Sequence, residues 1–249
     1  MRRNFCGKEN IMQLKIMTFN IQHCINFLTR QIDFDFFAEA IRAADADIIG
    51  LQEVRGLGRD FNEYRPQAKI LAEKLGYYYY FGEAIKFSGV NPYGNALLSR
   101  FPITAAETIS IPDPEERKYK GYYETRAVIK SAVDVNGRPF NVFVSHFGLN
   151  PDEHELCVKT VLETVAGARD FVFMGDLNMT PDNPMICSIA ARLHDTVSEI
   201  SGDLLSFPSD NPDRKIDYIF TDPELKVLSC EILPVVVSDH RPVRCIIDF

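Results

Sequence analysis

The chain has 249 residues, 46% hydrophobic and 25% charged, enough to bury a sizeable core in one α/β domain. Its 27 Lys and Arg stand against 35 Asp and Glu, a formal charge of −8, with no basic run beyond Arg117-Lys118-Tyr119-Lys120; this argues against tight non-specific binding to a long nucleic acid. Six scattered cysteines without a CxxC pair read as reduced core thiols, and no segment approaches the roughly 20 apolar residues of a membrane helix, so a soluble, cytoplasmic monomer is expected.

In chain order, residues 1–12 read as a loose leader and 13–249 as a single domain. LKIMTFNI (14–21) predicts a strand, IDFDFFAEAIRAA (32–44) a helix and ADIIGLQEV (46–54) a second strand. A helix over 65–76 closes on a C-terminal glycine, and YYYYFG and NALLS follow as strands. A Pro- and charge-rich loop spans 111–120. RAVIKSAVDV, the Asn136-Gly137 turn and RPFNVFVSH predict a hairpin over 126–146. A helix over 151–167 starts at Pro151. FVFMGD is a strand, 184–193 a helix and 200–214 irregular; IDYIF, LKVLSCEIL and VRCIIDF are the last strands. Hairpins mixed with crossovers predict mixed sheets.

Polar residues recur at the ends of these apolar runs. IMTFN ends in Asn20, IIGLQE in Glu53, VFVSH in His146, and FVFMGDLN in Asp176 and Asn178. If the last pair stays extended, its side chains share a face. Asp217 interrupts an apolar alternation; unpaired and buried it would cost several kcal/mol on the order given for lone ions, and His240 is its natural partner. Asp239 and His240 are adjacent and serve one site only if the chain bends there, which Pro242 favours. One such residue means little, but this many strand ends with matching chemistry mean a site. His23 and His194 lack this context, and His154, among acids at a helix start, reads as solvated.

The ordered set TFNI, LQEV, YGNALLSRFPI, TRAVI, VSHFGL, MGDLNMTP, RKIDYIF and SDHRPV resembles the endonuclease/exonuclease/phosphatase superfamily of metal-dependent phosphoesterases, over about residues 13–249, and looks most like its small stand-alone bacterial members. The resemblance implies a four-layer α/β sandwich, two mixed sheets face to face with helices outside. It makes Glu53 the principal metal ligand, assisted by Asn20, with Asp239 near the metal. An oxygen-only set suits Mg2+, or Mn2+ as a substitute. It gives Asp176 and His240, oriented by Asp217, to activation of water; the general base lies within that pair. Asn178, His146, Arg126 and Asn95 would meet the phosphate. Where relatives carry an acid two residues after the asparagine this chain has Gln22, and where pancreatic deoxyribonuclease supports the matching histidine with a glutamate this chain has Asn95.

The expected substrate is a phosphodiester within a nucleic acid, a nucleotide or a phospholipid headgroup. Alternatives are a phosphomonoesterase or lipid phosphodiesterase on the same site, or a non-catalytic binding module. Lys118, Lys120, Tyr122 and Tyr123 form a candidate substrate loop, and the segment 83–89 a candidate rim.

Overall fold

The computed structural model describes residues 11–199, 202 and 204–249. In β1 (Gln13–Asn20) alternation sends Leu14 and Ile16 to one face and Met17 and Phe19 to the other, and each face finds its own core. The other strands of that sheet are β2 (Ile48–Arg55), β3 (Tyr78–Phe87), β4 (Asn91–Ser99), β11 (Lys226–Ile232) and β12 (Val243–Asp248), in the order β11-β12-β1-β2-β4-β3. The second sheet holds β5 (Ile103–Ser110), β6 (Ala127–Val135), β7 (Arg138–His146), β8 (Phe171–Asp176), β9 (His194–Asp195) and β10 (Asp217–Thr221), in the order β5-β6-β7-β8-β10-β9. Each sheet contains one parallel pair, β1 with β2 and β7 with β8, among antiparallel neighbours, so both are mixed as predicted.

Between the sheets lies one apolar layer, including Ile16, Ile48, Val142, Val144, Val172, Met174 and Ile219. Each side chain of this size contributes about 1.5–3 kcal/mol by leaving water. At Gly50 the layers come closest: a Cβ there would lie 3.0 Å from both Val144 methyls and 3.1 Å from Met174. The outer face of the first sheet is covered by α1 (Phe34–Ala44) and α2 (Gln67–Leu75), that of the second by α3 (Pro151–Val165) and α4 (Pro184–Ala190). The result is the four-layer sandwich. Helix starts follow the local chemistry. Asp33 accepts from the Phe36 N–H at 3.0 Å, and the Glu153 carboxylate accepts from the Asn150 N–H at 3.1 Å.

Differences from the sequence reading have physical causes. β5 was not anticipated: ITAAETIS is a largely exposed edge strand, so burial imposes no strong alternation on it. β4 starts at Asn91, well before NALLS. His154 is buried, not solvated; its Nε2 donates to the Gly148 carbonyl at 2.9 Å. The stretch 200–214 falls partly, and the leader except for residues 11 and 12, outside the described residues. Met12 already exchanges backbone hydrogen bonds with Phe249.

Candidate functional site

Alternation delivers one row of side chains to one end of the inter-sheet space. Val142, Val144 and His146 share a face of β7, and Val172, Met174 and Asp176 a face of β8. The register sets His146 beside Asp176, and Asp176 beside Asp217 of β10. Gly175 allows this close pairing, because a Cβ there would meet the Ser145 carbonyl oxygen at 1.9 Å. From the facing sheet, Asn20 ends the row Leu14, Ile16, Thr18 of β1.

Glu53 does not arrive by alternation. The odd residues of β2, Ile49 and Leu51, face the helices. A register shift between Leu51 and Val54, with Glu53 at φ 57°, re-aims its carboxylate toward Asn20. His240 comes from the bend over 237–240, which Ser209 and Arg241 tie down through hydrogen bonds to the Asp239 and Ser206 carbonyls. The bend required of Asp239 and His240 is therefore present.

Asp176 is the hub. Its carboxylate accepts from Asn20 Nδ2 at 3.0 Å and from the Asn178 backbone N–H at 3.0 Å, and its Oδ2 lies 3.5 Å from Nε2 of both His146 and His240. Burial raises its pKa to about 7 despite the nearby His240 charge. His240 is also buried, which disfavours its cation, but Asp217 and Asp176 outweigh burial and raise it to about 10. Its Nδ1 donates to Asp217 Oδ2 at 2.9 Å, and its ring packs 4.7 Å from that of Phe207. Asp176, Asp217 and His240 could group around a cation, with ligand atoms within 4.8 Å of one another, but a protonated His240 fills that place itself.

Asn178 departs from the extended expectation. β8 ends at Asp176, and Asn178 takes φ 53° in a turn closed on the Asp176 carboxylate. It still reaches the site: its amide nitrogen donates to the Phe147 carbonyl at 3.0 Å and lies 3.1 Å from His146 Nε2. Leu177 turns away into the core under α3 and α4.

His146 is supported by Arg126, not Asn95. Arg126 offers only N–H groups and stands 3.1 Å from Nδ1, so Nδ1 accepts and the ring carries its hydrogen on Nε2, toward Asp176; the Asn178 amide nitrogen then touches Nε2 without donating to it. Burial first, then the charges of Arg126 and His240, hold His146 well below its usual pKa, so it is neutral. Asn95 instead donates to the Ala127 carbonyl at 3.1 Å. Arg126 is itself buried against Glu124 at 3.0 Å, without an aligned hydrogen bond to that oxygen, and its Nε has no partner among the described residues. Burial raises the Glu124 pKa, countered in part by Arg126.

A second acidic group flanks this row. Glu53 Oε1 accepts from Asn20 Nδ2 at 3.1 Å, and Asp239 Oδ2 accepts from Gln22 Nε2 at 2.8 Å. Burial, and the negative charge of Glu53, raise the Asp239 pKa. The buried Gln22 Oε1 has no partner among the described residues. Two carboxylates on either side of an unspent oxygen fit a hard divalent cation. Asn20 departs from its expected part here. Its oxygen accepts from the Gln22 N–H at 3.1 Å, and its amide nitrogen, which cannot ligate a metal, faces Glu53 and Asp176.

His23, given no role from sequence, lies beside Glu53. Its Nδ1 is 2.9 Å from the Glu53 carbonyl and its Nε2 3.4 Å from Glu53 Oε2, with the ring edge-on to Tyr93. Burial, and the charge of Arg55, lower its pKa to about 4. Gln22, His23 and Cys24 have φ of 41°, 58° and 59°; for residues other than glycine this costs roughly 1–2 kcal/mol each. Gln67 holds the turn, donating to the His23 carbonyl at 2.6 Å and accepting from the Arg55 N–H at 2.8 Å.

His23, Glu53, Glu124, Arg126, His146, Asp176, Asn178, Asp239 and His240 line one cavity of about 610 Å³, with Arg55, Tyr93, Tyr122, Leu149, Phe207 and Arg214 around it, while Asn20, Gln22 and Asp217 stand behind its wall. Of the candidate substrate loop only Tyr122 lines the cavity, and of the candidate rim only Phe87; Tyr123 and the Lys118 backbone instead engage Asp152. His23, Glu124 and Tyr93 were missed by sequence reasoning. Glu124 stands two residues before Arg126 in the loop entering β6, a spacing that could have suggested the pair. Nothing local marks His23, and Tyr93 opens the quoted stretch YGNALLSRFPI without a role having been read for it.

The sequence profile of the Endonuclease/Exonuclease/phosphatase family matches residues 17–240. Among curated proteins none matches. Solved structures do: an endonuclease/exonuclease/phosphatase from Beutenbergia cavernae superposes with a TM-score of 0.77 at 24% identity, covering 95% of this chain and 72% of that one. A family protein from Leptotrichia buccalis gives 0.73 at 23%, covering 95% and 100%. A mannosyl-6-phosphatase from Bacteroides thetaiotaomicron gives 0.73 at 18%, again covering 95% and 100%. At these identities they show the fold.

Proposed function

The chain belongs to the endonuclease/exonuclease/phosphatase family, and from that premise we propose that it is a Mg2+-dependent hydrolase cleaving a phosphodiester bond by in-line attack of an activated water. One observation carries the reading: the buried Asp176 carboxylate stands 3.5 Å from two imidazoles at the wall of a cavity sized for a small ester.

Asp176 takes the proton of the attacking water, its raised pKa matching work near neutrality, while His240 is held as a cation by Asp217 and serves as donor. Of the Asp176/His240 pair, the carboxylate is thus the base. His240, the Nε2–H of His146, Asn178 and Arg126 spread positive potential over the phosphoryl oxygens, and the departing oxygen takes its proton from the His240 imidazolium, which becomes a neutral imidazole. Glu53 and Asp239 would hold the divalent cation, which would supply further charge neutralisation when bound. Asn20 keeps the Glu53 and Asp176 carboxylates in place through its amide hydrogens.

Hydrolysis of bis-p-nitrophenyl phosphate and p-nitrophenyl phosphate, with and without Mg2+, tests the reading. Metal-dependent turnover favouring the diester, lost in Asp176→Ala, is expected. Preference for the monoester would move the reading to a phosphomonoesterase, and turnover unchanged in Asp176→Ala would overturn it.

A further inference from the structure

We propose that His23 Nε2 is a ligand of the divalent cation held by Glu53, giving a mixed nitrogen–oxygen site that favours Mn2+ over Mg2+. The inference rests on the metal-dependent reading above and moves its preferred ion from Mg2+ to Mn2+, because it adds a nitrogen to a donor set of oxygens.

The argument starts from hydrogen-bond polarity. The Glu53 carbonyl can only accept, so His23 Nδ1, 2.9 Å away, is the donor. In that tautomer Nε2 presents a lone pair. It does so 3.4 Å from Glu53 Oε2, a carboxylate oxygen, so two acceptors face one another. No hydrogen bond joins them, and their mutual repulsion is relieved by a cation bound to both. The separation suits that arrangement: neighbouring donors on one octahedral ion stand about 3 Å apart, given metal–ligand distances near 2.1 Å.

The backbone independently aims this ring. Three consecutive residues other than glycine, Gln22, His23 and Cys24, are in the left-handed region, and Glu53 joins them at φ 57°. Strain of this kind persists where the surroundings over-determine it and clusters at ligand sites. The fully buried Gln67 supplies the determination, bonding the His23 carbonyl and the Arg55 N–H at once. A histidine wanted only for packing against Tyr93 would not need its backbone forced so. The Nδ1–H to carbonyl bond is also the arrangement that orients a ligating imidazole. An imidazole nitrogen added to carboxylate oxygens moves preference from Mg2+ toward Mn2+.

The test is electron spin resonance of the protein titrated with Mn2+, with pulsed measurement of nitrogen coupling to the bound ion. Wild type is expected to show a directly bound nitrogen that disappears in His23→Ala, with Mn2+ affinity falling roughly tenfold or more and Mg2+ affinity, read by competition, falling less. Glu53→Gln should lose both ions. His23→Asn, a residue type that tolerates the left-handed backbone but lacks the imidazole, serves if His23→Ala does not fold. A nitrogen coupling that survives removal of His23, or equal losses for Mn2+ and Mg2+, overturns the assignment while Glu53→Gln still supports a metal site. Mn2+ binding unaffected by Glu53→Gln overturns the metal reading itself.

Discussion

Asp217 Oδ2 accepts a 2.9 Å hydrogen bond from His240 Nδ1 where both residues are almost fully buried, while the other Asp217 oxygen has no partner among the described residues. The side chain is committed to one imidazole through a single oxygen. Its work is electrostatic: Asp217 is the largest influence holding His240 in its charged form against burial.

Asp217→Asn therefore shifts the high-pH limb of the rate profile downward. With the carboxylate gone, His240 gives up its proton at lower pH, and the donor needed by the phosphate is lost sooner. The rate at neutral pH should fall on the order of 100-fold, the scale of one positioned proton-carrying group. Rate profiles from pH 5 to 10 for wild type and variant measure both effects.

The same pair makes stability depend on pH. The folded-state pKa of His240, about 10, lies above its ordinary 6.5, so the folded chain binds this proton more tightly than the unfolded one. The contribution is fully present below about pH 6.5 and is lost as pH rises through 10. Its size is on the order of a few kcal/mol. Urea denaturation of wild type should show this decline, and His240→Asn should flatten it while being less stable at pH 6.5.

Glu124→Gln leaves the Arg126 guanidinium buried without its charge partner. Breaking a buried pair from one side costs about 3–5 kcal/mol when nothing replaces it; the amide oxygen of glutamine softens this to roughly 1–3 kcal/mol. Because Arg126 also fixes the His146 tautomer, KM and kcat should both suffer. A thermal melt beside steady-state kinetics on the diester measures the two effects separately.

What could be read from sequence was whatever period two controls. Val142-Val144-His146 and Val172-Met174-Asp176 carry an apolar face straight into a polar end, and the strands keep that face to the end. Asp217 was legible because a carboxylate amid Ile216, Tyr218 and Ile219 demands a partner. Asn178 was reached by a different route than extension, through a left-handed turn closed on Asp176. Other features depend on distant parts of the chain. His23 owes its position to Gln67, 44 residues away, and to a left-handed turn that no residue in QHC announces. His146 takes its support from Arg126 of the neighbouring strand edge, not from Asn95 across the sandwich, because the Asn95 amide is drawn to the Ala127 carbonyl.

The Asn20 amide lies at the end of one sheet and binds Asp176 at the end of the other, 156 residues along the chain. Chemistry in this protein is thus a property of neither layer alone. Each sheet can keep every internal hydrogen bond while a slip of a fraction of an ångström between them separates amide from carboxylate. The closely fitted contact at Gly50, against the side chains two residues before His146 and Asp176, resists that slip, so changes of volume in the apolar layer would register as altered turnover before they register as unfolding.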